Sequence, residues 1–313
     1  MSDIDLFRLD VDGSGAGTAT RLSGRAEHLE RDLQNIFETN LQTLLGVRFI
    51  RSELVVEGGR LDTIGIDEND APVVIEYKRQ SSENVVNQGL FYLDWIVSHR
   101  GDFEMIVVDK EGQDAATSLN WPEARLICVA SEFNKYDLNA VRQMGRKIDL
   151  VRYRKYDELL LLELLNPRDA SPGAARQSAK TLPNSSSSSS EKQANYKTVA
   201  TQIAEAPVSL KALVDEVRDA VCGFADDIEV VTTNFYIAFR RLRNVATMEV
   251  RNTLHVVRLY LVIEPTPEII EDGFTRDMAG KGHFGSGDVE VTIRNSDDLE
   301  RAMPLIERAV QEG

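Results

Sequence analysis

The residues from 167 to 195 do most to limit what this chain can fold into. They open as Pro-Arg-Asp-Ala-Ser-Pro-Gly, continue through Thr-Leu-Pro-Asn and end with six consecutive serines, Ser185 to Ser190, before Asn195. No periodic apolar residues occur there, so the stretch cannot bury enough surface to offset the entropy of ordering it. It is expected to be a flexible, disordered linker. With 313 residues in all, each flank is long enough to enclose a core of its own. The expected organisation is an N-terminal domain over 1–166, a Ser/Pro-rich linker over 167–195 and a second domain over 196–313.

A net charge of −15 argues against a general nucleic-acid coat, which would be basic. It leaves room for an enzyme that holds a cation with carboxylates and grips phosphates through a local basic patch. No apolar stretch approaches the roughly 20 residues that span a bilayer, so no membrane association is expected. The start, Met-Ser-Asp-Ile-Asp-Leu, lacks a basic region followed by an apolar one, which points to the cytoplasm. Cys128 and Cys222 lie in apolar surroundings in different domains and read as buried reduced thiols rather than a disulfide.

In the first domain, Leu29, Leu33, Ile36, Phe37, Leu41, Leu44 and Leu45 recur at helical spacing and predict a helix over 23–45 with Ser23 as its N-cap. Strands are expected over about 48–56, 60–67 and 73–78, the last two joined by the turn Asp67-Glu-Asn-Asp-Ala-Pro72. A helix over 83–98 follows, then buried strands over 103–108 and 124–129, a helix over 136–145, and closing strands over 148–154 and 158–165. This order gives an α/β fold with a mixed central sheet flanked by helices. The second domain reads as a small α+β unit. It has helices over 196–203 and 209–222, strands over 228–234, 235–241, 246–250, 254–262 and 288–293, and a final helix over 296–310. Gly223 is the expected stop of the second helix.

The chemistry concentrates at Glu76-Tyr77-Lys78, which closes an apolar run fourteen residues after Asp62. On a strand, Glu76 and Lys78 share a face and Tyr77 takes the other. A lone Glu-x-Lys on a strand is ordinarily a surface ion pair. With an Asp on the neighbouring strand it becomes a compact site for a divalent cation and an activated water, as phosphodiester hydrolysis requires. Glu30 stands on the first helix. Gln88 and Tyr92 lie one helical turn apart on the helix after the strand, and with Trp95 they are expected to face the site while Val86, Leu90, Leu93 and Val97 pack on the sheet.

Asp62, Glu76-x-Lys78, the upstream helical glutamate and the downstream Gln-x-x-x-Tyr resemble the PD-(D/E)XK nuclease superfamily. The resemblance is to its RecB-like branch and to the catalytic domain of NucS-type endonucleases, over about 22–165. It implies a restriction-endonuclease-like fold and a metal-dependent deoxyribonuclease. Asp62 and Glu76 would bind Mg²⁺ or Mn²⁺, Glu30 would be an outer ligand, and Lys78 would be the catalytic lysine. Gln88 and Tyr92 would orient the site and contact the substrate backbone. Leu61 stands where the family usually has proline. The alternative is a catalytically silent nucleic-acid-binding protein that keeps this fold. Arg146, Lys147, Arg152 and Arg154, with Arg142 and Lys155 nearby, read equally as a phosphate grip and as a solvated strand edge.

The second domain resembles a group of uncharacterised domains, some labelled "predicted transport protein", that often follow such nuclease domains. Transport has no physical support without a membrane span. The run Gly280 to Gly287 reads as a glycine-rich hairpin loop more readily than as an anion cradle. Arg240, Arg241, Arg243, Arg251 and Arg258 could add a basic strip. His255 and His283 lack neighbours at zinc-ligand spacing. DNA is the expected partner, its form open, along with homodimerisation and a protein partner for this second domain.

Overall fold

The structure is a computed structural model and describes residues 6–11, 17–26, 30–79, 85–144, 147–165 and 197–312. The expected linker and Arg146 lie outside the described residues.

Two strands not expected from the sequence come first. β1 (Leu6–Val11) and β2 (Gly17–Leu22) form a separate antiparallel hairpin. The long helix expected over 23–45 is instead two short ones, α1 (Glu30–Thr39) and α2 (Leu41–Leu45). The break is at Asn40, whose side-chain amide donates to the Ile36 carbonyl at 2.8 Å and so closes α1. α2 ends at Gly46, whose φ of 63° is the left-handed conformation that favours glycine.

A six-stranded sheet follows, with β3 (Val47–Val56), β4 (Gly59–Asp67), β5 (Pro72–Lys78), β6 (Arg125–Ala130), β7 (Ile148–Tyr156) and β8 (Leu159–Leu164) in that spatial order. Pairings within β5, β6 and β7 are parallel and the outer ones antiparallel. A parallel pair needs a crossover, and β5 reaches β6 through α3 (Val85–Ser98), α4 (Arg100–Glu111) and α5 (Gln113–Thr117). α6 (Lys135–Gln143) makes the same connection from β6 to β7. β6 is buried on both faces, as a central parallel strand should be. Leu33, Phe37, Tyr77 and Tyr153 fill one side of the sheet, and Ile64, Val74, Val86, Leu93 and Leu150 fill the other.

The strand expected over 103–108 is part of α4. Only Phe103 and Val107 there are fully buried, four residues apart, while Met105 and Val108 are exposed. That pattern is a helix laid on a surface and not a core strand.

The second half of the chain builds α7 (Val199–Glu205), α8 (Val208–Cys222), β9 (Glu229–Thr232), β10 (Ile237–Arg240), β11 (Asn244–Arg251), β12 (Val256–Leu261), β13 (Thr275–Asp277), β14 (Val289–Ile293) and α9 (Ser296–Glu312). The six strands form an antiparallel sheet in the order β13-β14-β12-β11-β10-β9. Val217, Phe239, Leu259, Val291 and Ile306 join α8, α9 and one face of the sheet into a core. The short β13 was not expected. Gly223 does cap α8, but with a right-handed φ of −71°.

The other face of this sheet carries the polar side chains Thr247, Glu249 and Glu290 beside a small apolar cluster of Val231, Tyr236 and Ala238, and the glycine-rich loop lies on it. A Cβ at Gly287 would come within 2.7 Å of the Tyr260 carbonyl carbon, and at Gly285 within 2.7 Å of the Thr247 hydroxyl. Both glycines have positive φ. Gly285 and Gly287 therefore serve close packing of backbone on sheet, while a Cβ at Gly280 or Gly282 would meet nothing within 4 Å. Cys128 and Cys222 are free, the first buried and the second half-buried. Among the described residues no helix is long and apolar enough to cross a membrane.

Candidate functional site

The site forms where the β4–β5 ladder opens. The last paired residues are Thr63 and Ile75, and beyond them side chains replace backbone bonds. The Asp62 amide donates to Glu76 Oε1 at 3.2 Å, and the Tyr77 amide donates to Asp62 Oδ2 at 2.9 Å. Each carboxylate thus satisfies an N–H that the diverging strands leave free. The outcome is two acidic side chains brought together on one face, with Lys78 on the same face of β5.

Glu76 is fully buried, and its Oε2 has no hydrogen-bond partner. Burial pushes its carboxyl up to about 8, the nearby Asp62 carboxylate adds to this, and the Asp62 amide and Lys78 oppose it. Burial also raises Asp62, against the Tyr77 amide and the Lys78 ammonium. An uncompensated buried carboxylate is costly, so Glu76 holds its proton more tightly than a free carboxyl does unless a further cation lies beside it. Two hard oxygen ligands with one unsatisfied oxygen fit Mg²⁺ or Mn²⁺, which take one or two carboxylates and fill their remaining positions with water and phosphate. No group of three or more His, Cys, Asp or Glu residues able to hold a metal occurs among the described residues, so the expected set of Asp62, Glu76 and Glu30 is not assembled as three ligands here.

Glu30 does reach the site, but from the other direction. Its Oε2 lies 3.6 Å from Lys78 Nζ, and its Oε1 accepts the Arg79 amide at 3.3 Å. It tethers the end of β5 and holds the lysine. Tyr92 and Gln88 are adjacent, with Gln88 Nε2 donating to the Tyr92 hydroxyl at 3.3 Å. That hydroxyl accepts the Arg60 amide at 3.1 Å, two residues before Asp62. Only 4% of Tyr92 is exposed, so it braces the start of β4 and is unavailable to a ligand. Trp95 stacks on His99 with ring centroids 4.5 Å apart. The helix face that packs on the sheet carries Val85, Val86, Gly89, Tyr92, Leu93 and Ile96, and Leu90 and Val97 are half-buried.

Two residues of this site were missed in the sequence. Gln34, one turn after Glu30, donates through Nε2 to the Asp62 carbonyl at 3.1 Å, to Ser52 Oγ at 3.1 Å and to Glu38 Oε1 at 2.9 Å. Glu38, one turn further, accepts the Thr63 hydroxyl at 2.5 Å. Glu30, Gln34 and Glu38 form a stripe at i, i+4 and i+8 that stitches α1 to the strand carrying Asp62. The spacing was visible, but a polar stripe on an amphipathic helix normally faces solvent.

The expected basic patches are largely neutralised. Lys147 pairs with Glu123, and Arg152 Nε donates to Glu163 at 2.8 Å. Arg154 is half-buried on β7. In the second half, Arg241 pairs with Asp227 at 2.8 Å, Arg251 with Glu249 at 2.5 Å and Arg258 with Glu290 at 3.7 Å. Arg240 is buried in a network of its own. Arg240, Arg241, Arg251 and Arg258 are thus each paired with a carboxylate of the fold, and Arg243 is half-buried.

A family model described as "Domain of unknown function (DUF5655)" matches residues 199–312. An uncharacterized protein of Haemophilus influenzae (strain ATCC 51907 / DSM 11121 / KW20 / Rd) is 29% identical over 313 residues, covering 96% of this chain and 98% of the relative. Two solved structures show a partial likeness. A repair endonuclease from Pyrococcus abyssi aligns with a TM-score of 0.28 and 20% identity over 42% of this chain. An EndoMS–dsDNA2 complex aligns with a TM-score of 0.28 and 15% identity over 47% of it. The chain spans 50% of the first structure and 65% of the second.

Proposed function

We propose that residues 1–166 form a metal-dependent endonuclease domain that hydrolyses phosphodiester bonds in DNA, and that residues 196–313 form a second domain serving recognition. The observation that carries this reading is the acidic pair. Asp62 and Glu76 are placed together where a β-ladder opens, one oxygen of Glu76 is buried and unpartnered, and a lysine lies two residues on along the same strand face. Lys78, the cation beside these two carboxylates, is itself paired with Glu30.

Asp62 and Glu76 would hold Mg²⁺ or Mn²⁺. When bound, the cation lowers the pKa of a coordinated water and neutralises charge on the phosphate. Lys78, 3.6 Å from Glu30, would donate hydrogen bonds to the attacking oxygen or to a phosphoryl oxygen as negative charge builds there. Glu30 would fix the direction of that ammonium from beside the acidic pair. Gln88 and Tyr92 immobilise the backbone at Arg60, and Gln34 immobilises the Asp62 carbonyl. The donors and acceptors are thus organised before a substrate arrives.

Two variants separate the roles. Asp62→Ala is expected to lose both Mn²⁺ binding by calorimetry and cleavage of labelled DNA. Lys78→Ala is expected to keep Mn²⁺ binding and lose cleavage. Undiminished cleavage in both variants, from preparations free of contaminating nuclease, would sink the proposal. Metal binding without turnover on any DNA would favour a silent nucleic-acid-binding protein.

A further inference from the structure

The turn between β4 and β5 is held from both halves of the chain. Asp67 is buried and closes the turn itself, its Oδ1 accepting the amides of Asn69 at 2.9 Å and Ala71 at 3.0 Å. Its Oδ2 accepts from two guanidiniums, Arg125 Nε at 3.0 Å from β6 and Arg240 Nη1 at 3.1 Å from β10. Both arginines are buried, and each has a second carboxylate, Asp149 for Arg125 and Glu229 for Arg240. Beside this network Asn69 and Asn244 exchange side-chain amide bonds, each 3.0 Å. The Asn244 backbone amide donates to Glu68 at 2.7 Å, and the Tyr236 hydroxyl donates to the Glu68 carbonyl at 3.1 Å.

Five charged side chains arranged this way complement one another only when the two halves are together. Separated, the first half would leave Asp67 and Asp149 facing one arginine, and the second would leave Arg240 with Glu229 alone. Removing one member of a buried ion network is strongly unfavourable because its partner stays buried and uncompensated. The contact is therefore charge-matched across the two halves, so that substituting a member on one side leaves a buried partner uncompensated on the other.

The turn also sets the register of the hairpin. Ile66 faces Pro72 and Thr63 faces Ile75, and continuing that count brings Asp62 beside Glu76. A slip of one residue would send one of the two carboxylates to the opposite face. We propose that the C-terminal unit is a built-in clamp on the β4–β5 turn, with Arg240 and Asn244 as positioning residues that fix the register of the strands carrying Asp62 and Glu76. The consequence for metal binding rests on the reading of that pair given above, but the clamp itself does not.

The test uses the full chain with Arg240→Met, which removes the charge, and Asn244→Ala, a milder change in case the first fails to fold. Hydrogen exchange reads the Asn69 and Ala71 amides, and Mn²⁺ binding is followed in parallel. The clamp predicts protection of both amides lowered by about tenfold or more in either variant and Mn²⁺ binding weakened with it. Arg301→Gln, which breaks a surface pair with Glu271, should change neither. Unchanged protection in both variants overturns the clamp. So does protection that falls as far in Arg301→Gln. Wild-type protein that binds no Mn²⁺ counts against the metal site, while amide protection still decides the clamp.

Discussion

Replacing Glu76 by glutamine makes the burial of that carboxylate measurable without any substrate. Its folded pKa of about 8 stands above the ordinary value of 4.5. Between those values the folded chain keeps a proton that the unfolded chain has released. Stability from this group is therefore fully present below about pH 4.5 and is lost as pH rises through about 8. The gap sets a ceiling of about 5 kcal/mol, and relaxation with water entry, usual for buried charges, lowers the expected loss to about 2–3 kcal/mol. Urea unfolding in EDTA from pH 5 to pH 9 should show the wild type weakening by that amount. Glu76→Gln, with no proton to lose, should lack that component and be the more stable protein at pH 9. Adding Mn²⁺ at pH 9 should restore the wild type and leave the variant unchanged. A wild-type curve matching that of Glu76→Gln across the window would refute the claim that this carboxylate is buried without compensation.

Other consequences follow from named contacts. Gln34→Leu removes the donor to the Asp62 carbonyl and to Ser52 and should cost about 1–3 kcal/mol in urea unfolding, with weaker Mn²⁺ binding. Gly65→Ala places a Cβ within 2.4 Å of Val47 and 2.6 Å of the Arg48 carbonyl, so β3 and β4 must part. A loss of about 1–3 kcal/mol is expected from overpacking, read as a fall in melting temperature. Cys128 is buried and its thiol is pushed well up by that burial, while Cys222 is half-buried. One thiol should react with a disulfide reagent in the native state and the second only on unfolding, which peptide mapping would assign.

Most of the sheet in the first half was legible because its signals are local. The turn chemistry of Asp67 to Pro72 and the alternation around Glu76 identify strands within one or two residues of those observed, and alternation alone put Glu76 and Lys78 on one face. The segment 103–108 shows where such reading fails. Phe-Glu-Met-Ile-Val-Val is short and apolar enough for either element, and the helix wins because only Phe103 and Val107 need a core. The stripe of Gln34 and Glu38 was hidden by its polarity. The clamp was hidden for a different reason: Asp67 already had a local explanation as a turn residue, and its partner Arg240 lies 173 residues away. No pattern within a window connects the two, and only the folded sheet shows that the turn chemistry also serves an ionic contact.

The proposed activity is DNA cleavage by Asp62, Glu76 and Lys78. Its most direct test is a panel of end-labelled single-stranded, duplex, branched and mismatched DNAs incubated with Mn²⁺, comparing wild type with Asp62→Ala. The account predicts cleavage of at least one member by the wild type, none by Asp62→Ala and none by either protein in EDTA. Equal cleavage by the two proteins, or wild-type cleavage that persists in EDTA, would contradict it.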